Sequence, residues 1–269
     1  MDLRAIMFLL LLHFVALCHA QPVWDQDVDS EISGDSADDS ISETILRLNN
    51  GSTEYLMEGD VLIPKTRTAM KCTGNPYSCL WPKSPNGKVY IPFNIIDKYS
   101  FSEKNTIIGA LRAMEARTCI RFIPRTTQRA YISFEPKFGC FSQLGRIGGK
   151  QLVSLQRFGC VQHGIIQHEV LHAMGFYHEH TRSDRDRYIR INWGNIHKYE
   201  KHNFEKQDTN NLQIPYDYNS IMHYGRTAFG VRQAVTIVPI PDSSVEIGQR
   251  EKLSDLDVLR INRLYRCSN

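Results

Sequence analysis

The sequence predicts an α+β fold made of two unlike halves. Alternating apolar residues over Gly87–Asn94 are typical of a strand, and the three- and four-residue spacing over Ser102–Cys119 is typical of a helix. Beyond Gly175 the chain has little regular periodicity until a helix-like stretch at Leu253–Tyr265. We therefore expect a sheet-and-helix N-terminal half, a loop-rich C-terminal half, and a cleft between them.

The first 20 residues are typical of a secretory signal peptide. Arg4 supplies an early positive charge, an apolar run follows, and Ala20 ends the run on a small residue. The run is too short to be a spanning helix, and no other stretch is apolar enough to cross a membrane. We expect a secreted, extracellular protein with neither a membrane nor a nucleic acid as a partner.

The next segment is acidic and precedes a basic body. Residues 21–67 carry 11 acidic and 3 basic side chains, a net charge of −8, whereas residues 68–269 carry a net charge of +11. Such a leader can cover the body with the help of long-range attraction, or it can be a solvated linker. Gln21–Asn50 has few large apolar residues, and we expect it to be mostly disordered.

Six cysteines remain once the signal peptide is set aside. An even number in an exported chain predicts disulfides, and six cysteines allow many pairings, among which the sequence alone does not choose. They are Cys72, Cys79, Cys119, Cys140, Cys160 and Cys267.

The elements between these landmarks are short. Ser102 is the expected N-cap of the first helix, and three strands are expected at Arg121–Pro124, Tyr131–Phe134 and Gln151–Leu155. The last helix, Leu253–Tyr265, has Ser254 as its expected N-cap. Its expected buried residues are Leu256, Leu259 and Leu264.

The helix predicted near Gly164–Met174 carries a metal-binding pattern. His168 and His172 lie four residues apart on one helix face, and Glu169 between them can take a proton from water beside the metal. Gly175 can adopt a positive φ and turn the chain back, so that His178 becomes a third nitrogen ligand. Three nitrogen ligands with an open position are typical of a catalytic site with one Zn²⁺.

The run His168–Asp186, HEVLHAMGFYHEHTRSDRD, resembles the signature of the astacin family of metzincin zinc endopeptidases. The segment Ser220–Tyr224, SIMHY, is similar to the Met-turn of that family. The resemblance extends from near Thr68 to Cys267, and it is greatest to the six-cysteine hatching enzymes of fish, the choriolysins. It implies a metzincin-type protease fold with the active site in the cleft between the two halves.

The resemblance also implies a domain order. Residues 1–20 are then a signal peptide, residues 21–67 an acidic pro-segment, and residues 68–269 the catalytic domain. Met57-Glu58-Gly59-Asp60-Val61 resembles the FxGDx motif of astacin pro-segments, with Met57 in place of the usual Phe. In the family the aspartate of this motif binds the zinc, which makes Asp60 a zinc latch.

The resemblance also implies how the enzyme is activated. Arg67 precedes the expected mature start at Thr68 and is an expected cut site for a trypsin-like protease. The new N-terminus is implied to fold inward and pair with Glu179. Substrate is implied to lie extended against an edge strand within Cys140–Leu155.

Several further residue roles are implied in the same way. Tyr224 matches the astacin tyrosine that can join the zinc coordination and hydrogen-bond the oxyanion, and Met222 is the apolar floor beneath the histidines. From the residues alone, Asp184 and Asp186 are expected in a solvated ion-pair cluster, and the resemblance implies that they help to hold the loop after His178. The implied disulfides are Cys119–Cys267 and Cys140–Cys160, which leaves Cys72–Cys79.

The interpretation is a secreted zinc endopeptidase, made as a zymogen, that hydrolyses peptide bonds of extracellular proteins. Egg-envelope proteins at hatching are the first substrate hypothesis, and a general proteolytic role in adult tissue or secretions is the alternative. Storage in secretory granules and a monomeric state are also expected. A catalytically silent extracellular binding protein is the alternative of another class; the intact residues that speak against it are His168, Glu169, His172 and His178.

Overall fold

The computed structural model describes residues 40–63, 79–249 and 251–267. The predicted signal peptide, the cut site between Arg67 and Thr68, and Cys72 lie outside these residues. Cys79 is disulfide-bonded. Within the described ranges, no helix is both long and apolar enough to span a membrane.

A seven-stranded mixed sheet forms the first part of the fold. Its strand order is β1-β2-β6-β7-β5-β3-β4, with β3, β4, β5 and β7 mutually parallel and β6 antiparallel to β7. The strands are β1 (Leu56–Met57), β2 (Val61–Leu62), β3 (Val89–Ile95), β4 (Ile120–Pro124), β5 (Tyr131–Glu135), β6 (Cys140–Ser142) and β7 (Lys150–Leu155).

Apolar side chains on these strands build the main core. Ile91, Ile132, Phe134 and Val153 are fully buried, which explains why parallel strands form where the sequence is rich in β-branched and aromatic residues. The strands predicted at residues 87–94, 121–124, 131–134 and 151–155 are confirmed, with ends shifted by one or two residues.

Two helices cover this core, and they pack against each other. Helix α2 (Phe101–Glu115) and helix α3 (His163–Ala173) bury Ile107, Leu111 and Met114 of α2 together with most of α3. The prediction of Ser102 as the N-cap of α2 is wrong. Ser100 caps the helix in a capping box with Glu103, because only that spacing lets each side chain reach the other's backbone N–H.

Beyond the zinc-motif helix, residues 176–249 form a region of turns with one small sheet. Strands β8 (Ile189–Ile191) and β9 (Ile237–Pro239) pair there, and short 3-10 turns lie at Glu179–Thr181, Arg185–Arg187, Lys201–Phe204 and Val231–Gln233. A second apolar cluster around Phe204 and Tyr224 lies within this region. The predicted loop-rich half is confirmed. We call residues 79–175 the sheet half and residues 176–249 the loop half.

The last helix, α4 (Asp255–Leu264), begins after Ser254 as predicted, and Ser254 forms a capping box with Asp257. The prediction that Leu256, Leu259 and Leu264 are buried is wrong for Leu259 and only partly right for the other two: both are half-buried, and Leu264 packs against the main core. The helix instead buries Asp257, Val258, Arg260 and Ile261, because polar groups of the loop half meet this face of the helix. Leu259 is 36% exposed.

Disulfides connect distant parts of the described chain. Cys119 pairs with Cys267, which ties the end of the chain to the start of β4, and Cys140 pairs with Cys160, which ties β6 to the start of α3. Both pairings are those that the astacin resemblance implies.

Residues 40–63 form an ordered segment, so the prediction of disorder up to residue 50 is wrong for its last part. Helix α1 (Ile41–Asn49) has a capping box between Ser40 and Glu43, and it buries Ile41 and Ile45 in the main core. The burial of two isoleucines offsets the low overall hydrophobicity that made the stretch look disordered. We call residues 40–63 the N-terminal segment.

The N-terminal segment adds to the edge of the main sheet. Val61 of β2 pairs with Ser142 of β6 in parallel orientation, and the Ser142 N–H donates to the Asp60 carbonyl at 3.0 Å. Upstream, the Asn49 side chain accepts from the Cys140 N–H at 2.8 Å and donates to the Cys140 carbonyl at 2.7 Å. The outer edge of β6 is therefore occupied along its length.

Candidate metal centre

Helix α3 presents two histidines at its buried C-terminal end. His168 and His172 are both 0% exposed. The helix ends at a fixed point because the Trp81 indole donates to the Ala173 carbonyl at 3.0 Å and the Tyr265 hydroxyl donates to the Met174 carbonyl at 2.9 Å. Free carbonyls at the end of a helix need such donors.

Gly175 then reverses the chain. Its φ is +98°, a conformation that favours glycine, and its N–H donates to the His172 carbonyl at 2.9 Å. The turn returns His178 to the two helical histidines, with ring centroids 5.1 Å from His168 and 4.8 Å from His172. The predicted three-histidine cluster is thus assembled.

Asp60 of the N-terminal segment lies at the centre of this cluster. Its Oδ2 is 2.9 Å from His168 Nε2 and 3.3 Å from His178 Nε2, and its Oδ1 is 3.2 Å from His172 Nε2. The carboxylate is 1% exposed. Burial alone would raise its pKa, but the His178 and His172 imidazoles outweigh burial and hold the pKa of Asp60 well below its usual value.

The second nitrogen of each histidine is also accounted for. His168 Nδ1 donates to the Ile221 carbonyl at 2.9 Å, and His172 Nδ1 donates to the Phe176 carbonyl at 2.7 Å. His178 Nδ1 donates to Glu58 Oε2 at 2.7 Å. These bonds orient each ring so that its Nε2 faces the centre of the cluster, as in histidine metal sites.

The donor set fits a zinc ion. The ligand atoms of Asp60, His168, His172 and His178 all lie within 4.8 Å of one another. Asp60 Oδ1 and His172 Nε2 are buried and have no hydrogen-bond partner among the described residues. Three imidazole nitrogens and a carboxylate oxygen are ligands that zinc prefers.

Glu169 lies beside this cluster and not in it. Both of its carboxylate oxygens are buried and have no hydrogen-bond partner in the described part of the chain. Burial raises the pKa of Glu169 well above its usual value, and the neighbouring charge of Asp60 raises it further. A carboxyl group with such a pKa is suited to accept and return a proton.

Tyr224 and Met222 come from the loop half. The Tyr224 ring lies 4.7 Å from the His178 ring and stacks on the His180 ring at 3.8 Å, while its hydroxyl donates to the Glu58 carbonyl. Met222 is 3% exposed and belongs to the main core. Its neighbour Ile221 supplies the carbonyl that orients His168.

Glu179, the implied partner of the mature N-terminus, is buried and already has partners. Its Oε1 accepts from Arg260 at 2.6 Å, from Arg182 at 3.1 Å and from the Asp217 N–H at 2.7 Å. Sequence reasoning missed Arg260 as a partner, because it lies on α4, far along the chain, with no motif around it. Asp184 pairs with Arg182 and Asp186 with Arg185, but both arginines are buried, so the expectation of solvated ion pairs is wrong for the two arginines.

Two further buried histidines lie outside the cluster. His180 and His223 are fully buried but bond to carbonyls and to Tyr216. The residue that sequence reasoning overlooked is Glu58, which occupies the first variable position of the FxGDx motif. An acid next to a Gly-Asp pair gives no signal by itself.

The amino-acid sequence is similar to that of known proteins. A family model described as Astacin, a family of peptidases, matches residues 78–266. The low choriolytic enzyme of Oryzias latipes is 54% identical over 99% of this chain and 100% of its own length. High choriolytic enzyme 1 of the same fish is 50% identical over 99% of this chain and 100% of its own length.

A solved structure agrees with the fold. High choriolytic enzyme 1 from Oryzias latipes (Medaka fish), described as a hatching enzyme zinc-protease, aligns with a TM-score of 0.71 and 54% identity. The alignment covers 74% of this chain and 99% of that one. With the metzincin α+β fold and a three-histidine site that fits zinc, this chain belongs to the astacin family of peptidases and is a zinc metalloendopeptidase.

Proposed function

We propose that this chain is the secreted zymogen of an astacin endopeptidase and that the N-terminal segment is part of its inhibitory pro-segment. The observation that carries the proposal is the Asp60 carboxylate, which lies within 3.3 Å of the Nε2 atoms of all three histidines. A tethered carboxylate in this position excludes both water and substrate from the site.

The chemistry assigned to the site is peptide-bond hydrolysis. His168, His172 and His178 would hold the zinc ion, which would supply a Lewis acid for water activation and for polarisation of the scissile carbonyl. Glu169 takes the proton of the attacking water and returns it to the leaving nitrogen. Tyr224, once free of the Glu58 carbonyl, donates a hydrogen bond to the developing oxyanion.

Activation is proposed to remove three contacts at once. Cleavage by a trypsin-like protease between Arg67 and Thr68 releases the segment, which takes Asp60 from the histidines, Glu58 from Tyr224 and β2 from the edge of β6. The freed edge can then pair with an extended substrate. A cavity of about 310 Å³ beside Glu179 and Arg260 offers room for the new N-terminus.

The substrate is proposed to be an extracellular protein, with egg-envelope proteins first. The names of the fish relatives, choriolytic enzymes at 48–54% identity, support this order. A general proteolytic role in adult tissue or secretions is the second candidate. We further propose secretion through the signal peptide 1–20, storage in granules, and a monomeric enzyme of residues 68–269.

Four samples test the proposal: the full chain, the full chain after limited trypsin treatment, the treated Glu169→Gln variant, and the untreated Asp60→Ala variant. Each is assayed for zinc content and for cleavage of casein and isolated egg envelope. We expect one zinc in each, full activity only in the treated parent, lower activity in the untreated Asp60→Ala variant because β2 still covers the edge of β6, and loss of activity with chelator. An untreated parent as active as the treated one would contradict the latch, and an active Glu169→Gln variant would contradict the assigned base.

A further inference from the structure

We propose that Glu58 is a second latch residue, which acts as the carboxylate partner of the third zinc histidine and tightens zinc binding in the zymogen. The inference rests on the proposed pro-segment role of residues 40–63. It assigns a function to the first variable position of the FxGDx motif, one residue before Gly59.

The contacts of Glu58 with His178 carry the argument. Oε2 accepts from His178 Nδ1 at 2.7 Å and from the His178 N–H at 3.3 Å. The residue is 0% exposed, so water does not compete for these bonds. A buried carboxylate bonded to the outer nitrogen of a metal histidine fixes the ring and raises its basicity toward the metal.

The other two histidines differ from His178 in this respect. His168 and His172 donate to the carbonyls of Ile221 and Phe176, which belong to the body of the protein and stay when the segment leaves. His178 alone of the three takes its outer partner from the N-terminal segment. Removal of the segment therefore withdraws two carboxylates: that of Asp60 from the centre of the three histidines, and that of Glu58 from the outer nitrogen of His178.

The body also holds Glu58 in place. Gln207 donates from Nε2 to Glu58 Oε1 at 3.0 Å, and the Tyr224 hydroxyl donates to the Glu58 carbonyl. The backbone of Glu58 has a φ of +51°, which few residues other than glycine adopt without cost. Glycine at this position would meet the backbone requirement more easily, so the carboxylate is the feature that the site uses.

The experiment measures zinc dissociation from the full chain. All proteins carry Glu169→Gln to prevent self-cleavage, and zinc release to a chromogenic chelator is followed over time. We expect Glu58→Gln to release zinc about tenfold faster than the parent, because loss of an outer-shell partner typically costs 10- to 100-fold in metal affinity. An unchanged release rate in Glu58→Gln would overturn the proposal.

Glu43→Gln is the matched control. It makes the same change in the same segment, and Glu43 bonds to Thr227 of the body without touching a histidine. We expect its release rate to stay within about twofold of the parent, since it changes docking alone. If Glu43→Gln accelerates release as much as Glu58→Gln, the effect comes from loosened docking and the proposal is wrong.

A double-mutant cycle protects the test against a folding defect. Gln207→Ala leaves Glu58 in the chain but removes the donor that orients it, and we expect release to be a few times faster. The same change added to Glu58→Gln should have no further effect. Acceleration of equal size in both backgrounds, or none in the first, contradicts the role of Glu58.

One further variant separates the role of Glu58 from that of the Asp60 latch. Asp60→Asn in the same background tests the direct ligand. If Asp60→Asn accelerates release while Glu58→Gln does not, the pro-segment latch stands and the second latch residue fails. If neither variant changes the rate, the proposed pro-segment function fails together with it.

Discussion

The sheet half and the loop half are held together by different interactions. In the sheet half, strands exchange backbone hydrogen bonds and bury fully apolar side chains such as Ile91, Ile132 and Phe134. In the loop half, buried polar side chains bond to backbone groups and to one another, as Glu179 does with Arg182. The apolar pattern of strands and helices repeats at a fixed spacing along the sequence, whereas the polar contacts of the loop half have no fixed spacing.

The difference matters for the metal centre because the centre takes residues from both halves. Helix α3 of the sheet half brings His168, Glu169 and His172, whereas the loop half brings His178 and Tyr224. The sheet half thus holds two of the three histidines and Glu169, and the loop half holds the third histidine and Tyr224.

The largest expected effect on stability comes from a substitution in the apolar core of the sheet half. Phe134 is fully buried and meets Phe93 edge to face, with ring centroids 6.2 Å apart. Phe134→Ala should lower the free energy of unfolding by about 3–5 kcal/mol, since it removes a large side chain and leaves a cavity. Urea unfolding of the full chain measures the loss.

Phe204→Ala is the matched change in the loop half, where Phe204 is also fully buried. Hydrogen exchange should show faster exchange throughout the molecule for Phe134→Ala, but mainly in residues 176–249 for Phe204→Ala. If both variants loosen both halves equally, the halves unfold as one unit and the contrast drawn between them is wrong.

The next largest expected effect is a loss of folding stability at acidic pH, caused by His223 of the loop half. His223 donates from Nδ1 to the Tyr224 carbonyl and accepts from the Tyr216 hydroxyl, each at 2.7 Å. Burial, helped by the charges of Arg260 and His178, lowers the pKa of His223 from 6.5 to about 4. The folded protein therefore needs this imidazole neutral.

The free energy of unfolding should therefore fall as the pH is lowered. Below the unfolded pKa of 6.5 the unfolded chain binds a proton that the folded chain does not, so stability is complete above about pH 6.5 and falls as the pH drops toward 4. The loss amounts to roughly 3 kcal/mol. Unfolding free energies at pH 7.5 and pH 4.5 should differ less in His223→Gln than in the parent. An equal difference would show that His223 does not titrate in this way.

The sequence predicted the two halves unequally well for the same physical reason. Strand alternation and helix spacing report apolar burial, so β3, β5, β7 and α3 were found within one or two residues. The buried face of α4 was missed in part because half of it is polar: beside Val258 and Ile261, Asp257 and Arg260 bond to partners in the loop half. Periodicity of apolar residues carries no information about such a face.

The candidate site shows the same limit. His168, Glu169, His172 and His178 lie in one short run whose spacing states their geometry, and the structure assembles them as expected. Glu58 contacts His178 across 120 residues of sequence, and Arg260 contacts Glu179 across 81. Partners that depend on tertiary folding, with no fixed spacing, have no signature in one sequence.

The smallest effect compares two helix caps that are alike in sequence. Ser100 caps α2 and Ser254 caps α4, each in a capping box with the acid three residues on. Ser254 Oγ also donates to Asp217 Oδ2 of the loop half at 2.5 Å, whereas Ser100 is exposed and bonds only within its own helix among the described residues.

Substitution by alanine should separate the two roles. Ser100→Ala should cost about 1 kcal/mol, the usual value of an N-cap. Ser254→Ala should cost about 2 kcal/mol, because it also leaves a partly buried carboxylate oxygen of Asp217 without its donor. Urea unfolding of both variants measures the difference. Equal losses would mean that the bond to Asp217 adds nothing to the local cap, and the loop half would then depend less on polar side chains than its contacts indicate.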